Sequence, residues 1–301
     1  MATLGSMINQ VLRRVQPGAT TETVTLTSSV AAAATSFNVT DVAGTILPTL
    51  RPGVVLSVDL ELYYVESVST TLVTVQSGYL GSTTATHAAN TLVYINPRFN
   101  SFDILSAIND DLSDLCSPEN GLFKVNSLEI TYNPAQIGYD LTGVTGLIEI
   151  ISVQQKQPYP VGYWIPISRR DWTFTANADT TAFPSGYALR LNIGAFPGMP
   201  LRVTYKQVFS PFVNLTDDAT TVAGLSSTMY DIPPLGAMVS IIAPREVKRN
   251  QIDSAPDSRR AIEVPPGAVM NSVAQVLALR QRRITAEATR LKQLYGQQAG
   301  R

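Results

Sequence analysis

PPGAVMNSVAQVLALRQRRITAEATRLKQLYG, residues 265–296, sets how the rest of the chain is read. Val269, Val273, Val276, Leu277, Ile284, Leu291 and Tyr295 recur at near-heptad spacing, the signature of a helix with one long apolar stripe. Pro265 and Pro266 suit its opening and Gly296 its end. The pattern predicts a helix of about 30 residues, ~45 Å long at ~1.5 Å per residue, longer than a small bundle requires. Such a stripe must be buried, and three other helical segments, widely separated in sequence, are available to bury it.

The first of these covers residues 3–15, with Met7, Ile8, Val11, Leu12 and Val15 at helical spacing. Arg13 and Arg14 suit the negative end of its dipole, and Pro17-Gly18 stops it. The second covers residues 101–116, with Ser101 as N-cap, Asp103 in the first turn, and Phe102, Leu105, Ile108, Leu112 and Leu115 as its stripe. Asp110, Asp111 and Asp114 lie off that stripe and read as a solvated acidic face, without the ligand spacing of a calcium loop. Asp231 caps the third, which carries Pro233 and Pro234 in its first turn and Leu235, Met238, Val239 and Ile242 on its apolar face. It is expected to run to about residue 248, kinked or ended by Pro244 and followed by a polar loop at 251–260.

Two β-rich blocks separate these helices. Between residues 20 and 95, Val54–Val58, Leu60–Val68 and Leu72–Gln76 are β-prone runs, with Asp59 dividing the first two. Tyr63 and Tyr64 point to opposite faces of one strand. Between residues 122 and 212, Ser127–Tyr132 alternates with Leu128, Ile130 and Tyr132 inward, and Ala188–Ile193 and Leu201–Tyr205 do the same around a Gly194–Pro200 turn region. Trp164, Trp172, Tyr159 and Tyr163 gather near Pro158, Pro160 and Pro166; such a cluster fills the end of a sandwich core or binds a sugar or peptide. The expected fold class is α+β: a helical bundle assembled from dispersed helices, with two inserted antiparallel β domains. By residue, helices of the bundle come from 1–17, 98–120 and 230–301; a small barrel or sandwich occupies 18–97, and a larger β-sandwich 121–229.

Composition narrows the chemistry. The chain is 45% hydrophobic and 15% charged, against a typical ~25%, so much of its surface is hydroxyl rather than charge or is kept for partners. One cysteine, Cys116, excludes an intramolecular disulfide and a multi-cysteine zinc site, and reads as a buried small hydrophobe. One histidine, His87, excludes the two-histidine metal motifs. No phosphate-binding glycine loop, nucleophile elbow or zinc-protease motif occurs. His87 lies among small residues with no acid near it in sequence, so a turn-stabilising role is expected rather than catalysis. Asp59 and Glu61, two apart on a β segment, could share a face, but nothing in the sequence implies a pocket for them. Asp217-Asp218 reads as a solvated pair in a polar loop. MATLGSMINQVLRRV at the N-terminus lacks the apolar run of a signal peptide, and no segment offers the ~18 apolar residues of a membrane span.

Charge is split along the chain. Residues 245–301 hold 11 Lys and Arg against 5 Asp and Glu, a net of +6, while residues 1–244 carry a net of −7. In the last helix, Arg280, Arg282, Arg283, Arg290 and Lys292 cannot all lie on the apolar stripe. Glu287 lies four residues from Arg283 and three from Arg290, which offsets part of this charge along the helix. The rest reads as a solvated face, a contact for an acidic protein, or a contact for phosphates.

The run GYLGSTTATH (78–87), after LVTV (72–75), resembles the G-Y-x-G-T-T-A-x-x-H segment of tailed-phage neck and tail proteins, with Ser82 and Thr84 as small-for-small departures. Pro97-Arg98-Phe99 then leads to a helix containing AINDDL (107–112), Leu122-Phe123 and Tyr139-Asp140-Leu141 follow in a β block, and Asp231-Ile232-Pro233-Pro234 opens a helix ending near Arg245-Glu246. RLKQLY (290–295) closes the last helix. This order, over most of the chain, resembles the head-to-tail adaptor (connector) proteins of long-tailed bacteriophages. The resemblance implies a structural virion protein of the neck, assembled in the host cytoplasm. It implies a ring homo-oligomer, usually dodecameric, with a helical core and inserted β domains. The portal protein binds above it, a stopper or tail-completion protein below, and genomic DNA passes through the lumen. No catalysis, cofactor or membrane is implied. Arg280, Arg282, Arg283, Arg290 and Lys292 become candidates for contact with the portal or the lumen. The competing class is a tail or baseplate protein whose sandwich binds carbohydrate around Trp164; a carboxylate hydrolase lacks its pocket signature.

Overall fold

Residues 2–16, 21–40, 49–158, 162–253 and 268–296 are described by the computed structural model. The chain divides into two compact units, one of Met1–Leu112 with Pro211–Gln281, the other of Ser113–Ser210 with Arg282–Arg301. Both helices and antiparallel sheets are present.

In the first unit, six strands alternate inward and outward residues and close on themselves: β1 (Thr23–Leu26), β2 (Ser36–Thr40), β3 (Val55–Val58), β4 (Glu61–Ser69), β5 (Leu72–Gln76) and β6 (Leu92–Ile95), in the order β1-β2-β5-β4-β3-β6. Val24, Leu26, Phe37, Val39, Leu56, Val58, Tyr63, Val65, Val73, Val75, Val93 and Ile95 fill the interior. Tyr63 points into this core and packs edge-on against Phe37, while Tyr64 stays half-buried beside Tyr79. Of the two forms open to residues 18–97, the chain takes the barrel. The reversal between β3 and β4 turns at Asp59, whose φ of 52° is a left-handed conformation that aspartate tolerates better than most residues.

Helix α1 (Leu4–Val15) is capped by Thr3 in a reciprocal box with Ser6 and buries Leu4, Met7, Ile8 and Val11. Its first amides donate to the 215–217 segment, Leu4 N–H to the Asp217 carbonyl at 3.0 Å and Gly5 N–H to the Leu215 carbonyl at 2.9 Å. Asp217 and Asp218 are therefore more than a solvated pair. The Asp217 carboxylate accepts the amides of Val213 and Asn214, and Asp218 caps a π-helical turn at Ala219–Ala223. Burial raises the Asp217 pKa, but those donors outweigh it and hold the group below the ordinary range. Residues 211–229, which the sequence assigns to the second β domain, belong instead to the first unit and brace α1.

Helix α2 (Ser101–Leu115) departs from expectation at two points. Asn100, not Ser101, is the cap: its Oδ1 accepts the Asp103 amide at 2.6 Å, and its Nδ2 donates to the Asp103 carboxylate at 2.8 Å. We expect Asn100→Ala to lower stability by about 1 kcal/mol and Ser101→Ala to change it by much less, measured by thermal unfolding; equal losses would return the cap to Ser101. The buried face is also rotated, with Ile104, Ala107, Ile108, Asp111, Leu112 and Leu115 buried and Phe102 and Leu105 only half-buried. Asp111 is thus no part of a solvated acidic face.

Helix α3 (Ile232–Asp253) opens buried from Ile232 through Met238, packs against α1, and continues through Pro244 to Asp253 rather than ending near 248. Residues 254–267, including Pro265 and Pro266, and the tail from Gln297 lie outside the described residues. Helix α4 (Ala268–Tyr295) buries Val273, Arg280, Ile284, Glu287 and Leu291, while Leu277, expected on the stripe, is 47% exposed. No described helix is long and apolar enough to cross a membrane.

The second unit contains two antiparallel sheets. One has the order β10-β9-β13-β7, from β7 (Lys124–Thr131), β9 (Leu147–Lys156), β10 (Trp164–Ile167) and β13 (Pro200–Gln207). The other has the order β11-β12-β8, from β8 (Tyr139–Asp140), β11 (Trp172–Ala176) and β12 (Tyr187–Leu191). Side chains of both sheets, among them Val153, Leu201, Val203, Trp172 and Leu189, share one core, with Leu128 and Ile130 packed against it in the predicted phase. Cys116 is half-buried and its Sγ accepts the Phe209 amide at 3.3 Å.

Candidate functional site

The chemistry-bearing residues converge at the β3–β4 reversal, where the sequence offered only isolated candidates. Asp59 sits in the reversal itself, in its left-handed conformation, and Glu61 opens β4 two residues later. His87 arrives from the other end of the Gly78–His87 segment. Its ring lies between the two acids, with Nδ1 2.9 Å from Asp59 Oδ2 and Nε2 3.0 Å from Glu61 Oε2. The expectation that His87 has no acid beside it is overturned; its partners lie 28 and 26 residues earlier and meet it through the barrel's topology.

A carboxylate on each ring nitrogen requires two N–H donors, and so the imidazolium form. Burial alone lowers the His87 pKa, but hydrogen bonds and charge from Asp59 and Glu61 outweigh it and raise the pKa above its usual 6.5. Glu61, itself buried, also accepts the Ala85 amide at 2.9 Å and the Gly78 amide at 3.3 Å. The Tyr63 hydroxyl is buried beside it. Burial, then Glu61, push that phenol far above its ordinary pKa.

The rest of Gly78–His87 is fastened as firmly. The Leu62 amide donates to buried Ser82 Oγ at 2.9 Å, so the serine in place of threonine keeps the hydroxyl this contact uses. His87 and Val30 exchange main-chain bonds at 2.9 Å each. Gly78, at φ 63°, begins a tight turn in which Leu80 also takes positive φ, and a Cβ on Gly78 would press on the Ser82 carbonyl. This arrangement locks a long loop across a barrel end. Both histidine nitrogens are engaged, so neither is free to take a proton from a substrate.

A groove of about 360 Å³ does lie beside the cluster, contrary to the sequence reading. Asp59, Glu61 and His87 line it with Phe102, Leu105 and Val213. Among the described residues no group of three His, Cys, Asp or Glu side chains, this cluster included, is arranged to hold a metal ion.

The five basic candidates of α4 separate. Arg280 is 7% exposed, and its Nε and Nη2 lie 2.9 and 2.7 Å from Asp111 Oδ1, so it is committed inside the first unit and leaves the set available for an outside partner. Arg290 is half-buried and pairs with Glu287 at 2.7 Å, Arg283 is half-buried, and Arg282 and Lys292 are exposed. Seven-residue steps from Val273 reach Arg280 and Glu287, and that spacing was the available signal that both would be drawn inward.

The aromatic cluster separates as well. Trp172 is buried in the core with the Arg169 guanidinium 3.9 Å from its ring centre. The Trp164 ring is covered by Arg202 at 4.0 Å, which also pairs with Glu129. Tyr163 is exposed, and Tyr159 lies outside the described residues. Trp172 thus offers no bare ring face to a sugar, and Arg202 occupies one face of the half-buried Trp164.

No family model matches the chain, and no curated protein is significantly similar to it.

Proposed function

We propose that this protein is a structural virion component, a head-to-tail adaptor of a long-tailed bacteriophage. Its copies form a ring, dodecameric as in the proteins it resembles. The ring joins the portal to the stopper or tail-completion proteins in the virion neck, after assembly in the host cytoplasm, and genomic DNA passes through the lumen without sequence-specific binding. The observation that carries this reading is the use made of Gly78–His87. The segment of the resemblance is fastened by buried polar contacts at a barrel end, and its histidine serves structure rather than reaction.

In the same reading the dispersed helices form one bundle from which the β domains project. The packing of α1 on α3, and of Asp111 in α2 against both Gly236 in α3 and Arg280 in α4, supports it. Arg282 and Lys292, exposed on α4, meet the portal through contacts that weaken with salt.

Imaging the neck of the intact particle tests this directly. A symmetric ring of this chain is expected; one or a few copies there, or a place on the tail with bound glycan, would overturn it. Arg282→Glu with Lys292→Glu is expected to lower attachment to filled heads about tenfold through like-charge repulsion, with the fold intact. Normal attachment would leave that face of α4 merely structural. Deleting residues 281–301 is a poorer test, because it also removes Tyr295 from its packing against Phe123.

A further inference from the structure

We infer that the groove beside Asp59 receives the Arg13–Arg14 end of α1 from a second copy of this chain, head to tail. The inference rests on the adaptor reading for its setting, since a ring needs one heterologous contact repeated around the axis; its chemistry stands on the groove itself.

Two carboxylates and one imidazolium leave the groove with an uncompensated negative charge. Asp59 is the accessible part of it. Its side chain is 46% exposed, and while Oδ2 holds His87, Oδ1 accepts no hydrogen bond among the described residues. Phe102 and Leu105 supply an apolar wall, and Val213, 64% exposed, stands at its side. A carboxylate oxygen beside an apolar wall suits a guanidinium on an aliphatic stem: the head pairs while the stem covers the wall.

The same unit carries the complement. Arg13 and Arg14 are exposed in the last turn of α1, beside Ser6, Asn9 and Gln10, and neither has an ion-pair partner among the described residues. The two surfaces cannot satisfy each other within one copy. Leu215 lines the groove and also accepts the Gly5 amide, so the groove adjoins the start of α1. The arginines lie at its other end, ~12 Å along the axis at ~1.5 Å per residue. Acidic groove at one end and basic pair at the other make a polar unit whose copies join end to surface. Such a contact repeats in one direction and closes when the rotation permits.

The test uses the full chain in sedimentation velocity over a concentration series at low and high salt. The native chain is expected to self-associate, more weakly as salt rises. Arg13→Glu with Arg14→Glu should weaken association roughly a hundredfold, as should Thr83→Arg with Thr86→Arg, which charges the groove without touching the Asp59–His87–Glu61 contacts. Mixing the two variants should restore association as one-to-one pairs, because the intact groove of the first receives the intact Arg13–Arg14 end of the second. A native chain that stays monomeric, variants that associate like native, or a mixture that fails to recover would each overturn the contact. Neck imaging separates this from the adaptor reading: a normal ring built from the Arg13→Glu, Arg14→Glu variant removes the contact and leaves the ring standing.

Discussion

Gly236→Ala is expected to destabilise the first unit by about 3–5 kcal/mol, although alanine is ordinarily the better helix former by about 1 kcal/mol. A Cβ at Gly236 would overlap the Asp111 carboxylate. That carboxylate is short, buried, and held by Nε and Nη2 of Arg280. Either α3 lifts from α2 or Asp111 swings away and leaves a buried guanidinium without its acid, and the second cost alone exceeds the helix-propensity gain. Arg280→Leu should cost as much by removing both charge-assisted bonds from Asp111 Oδ1. The triple variant Gly236→Ala, Asp111→Ala, Arg280→Leu should recover most of the loss, since an apolar set of similar volume needs no pairing. Both tryptophans, Trp164 and Trp172, lie in the second unit, so fluorescence does not report this change. Amide exchange in α2 and α3 does, and unchanged protection there in Gly236→Ala would show that the carboxylate yields at little cost.

His87→Leu is expected to cost the barrel a similar ~3–5 kcal/mol, by removing the imidazole from the buried Glu61 side chain. The native protein should also show a pH signature of defined sign. The folded His87 pKa lies above the unfolded value near 6.5, so its stabilising contribution is complete below 6.5 and is lost as pH rises through the folded pKa. Amide exchange in β4 and in residues 78–87 should therefore quicken above neutrality by more than the intrinsic rate accounts for. In His87→Leu that excess should vanish. If exchange in the variant keeps the excess, the cluster carries a different charge state from the one its geometry requires.

The strands were legible because alternation is a local property. Leu128, Ile130 and Tyr132 face inward as the sequence indicates. The barrel's closure was not, because it depends on β6 pairing with both β1 and β3, distant contacts that no single strand encodes. The site was hidden for a related reason. Asp59 and Glu61 were visible as neighbours, and His87 as a lone residue in a recognisable run, but only register joins them. In α4 the reading followed apolar residues and passed over Arg280 and Glu287, which occupy seam positions. A charge at such a position implies an opposite charge across from it; Asp111 meets Arg280, yet four aspartates on α2 gave no local reason to single it out.

Closure of the first unit's barrel restricts how other molecules engage it. Each of its six strands has a neighbour on both sides, so no row of free amides and carbonyls runs along the sheet for an incoming strand to extend. A visitor there must read side chains and loops, and misassembly by edge-to-edge zippering is blocked. The sheets of the second unit are open, ending at β7 and β10 in one and β8 and β11 in the other. If any partner of this protein binds by lending a strand, the second unit is where it can do so.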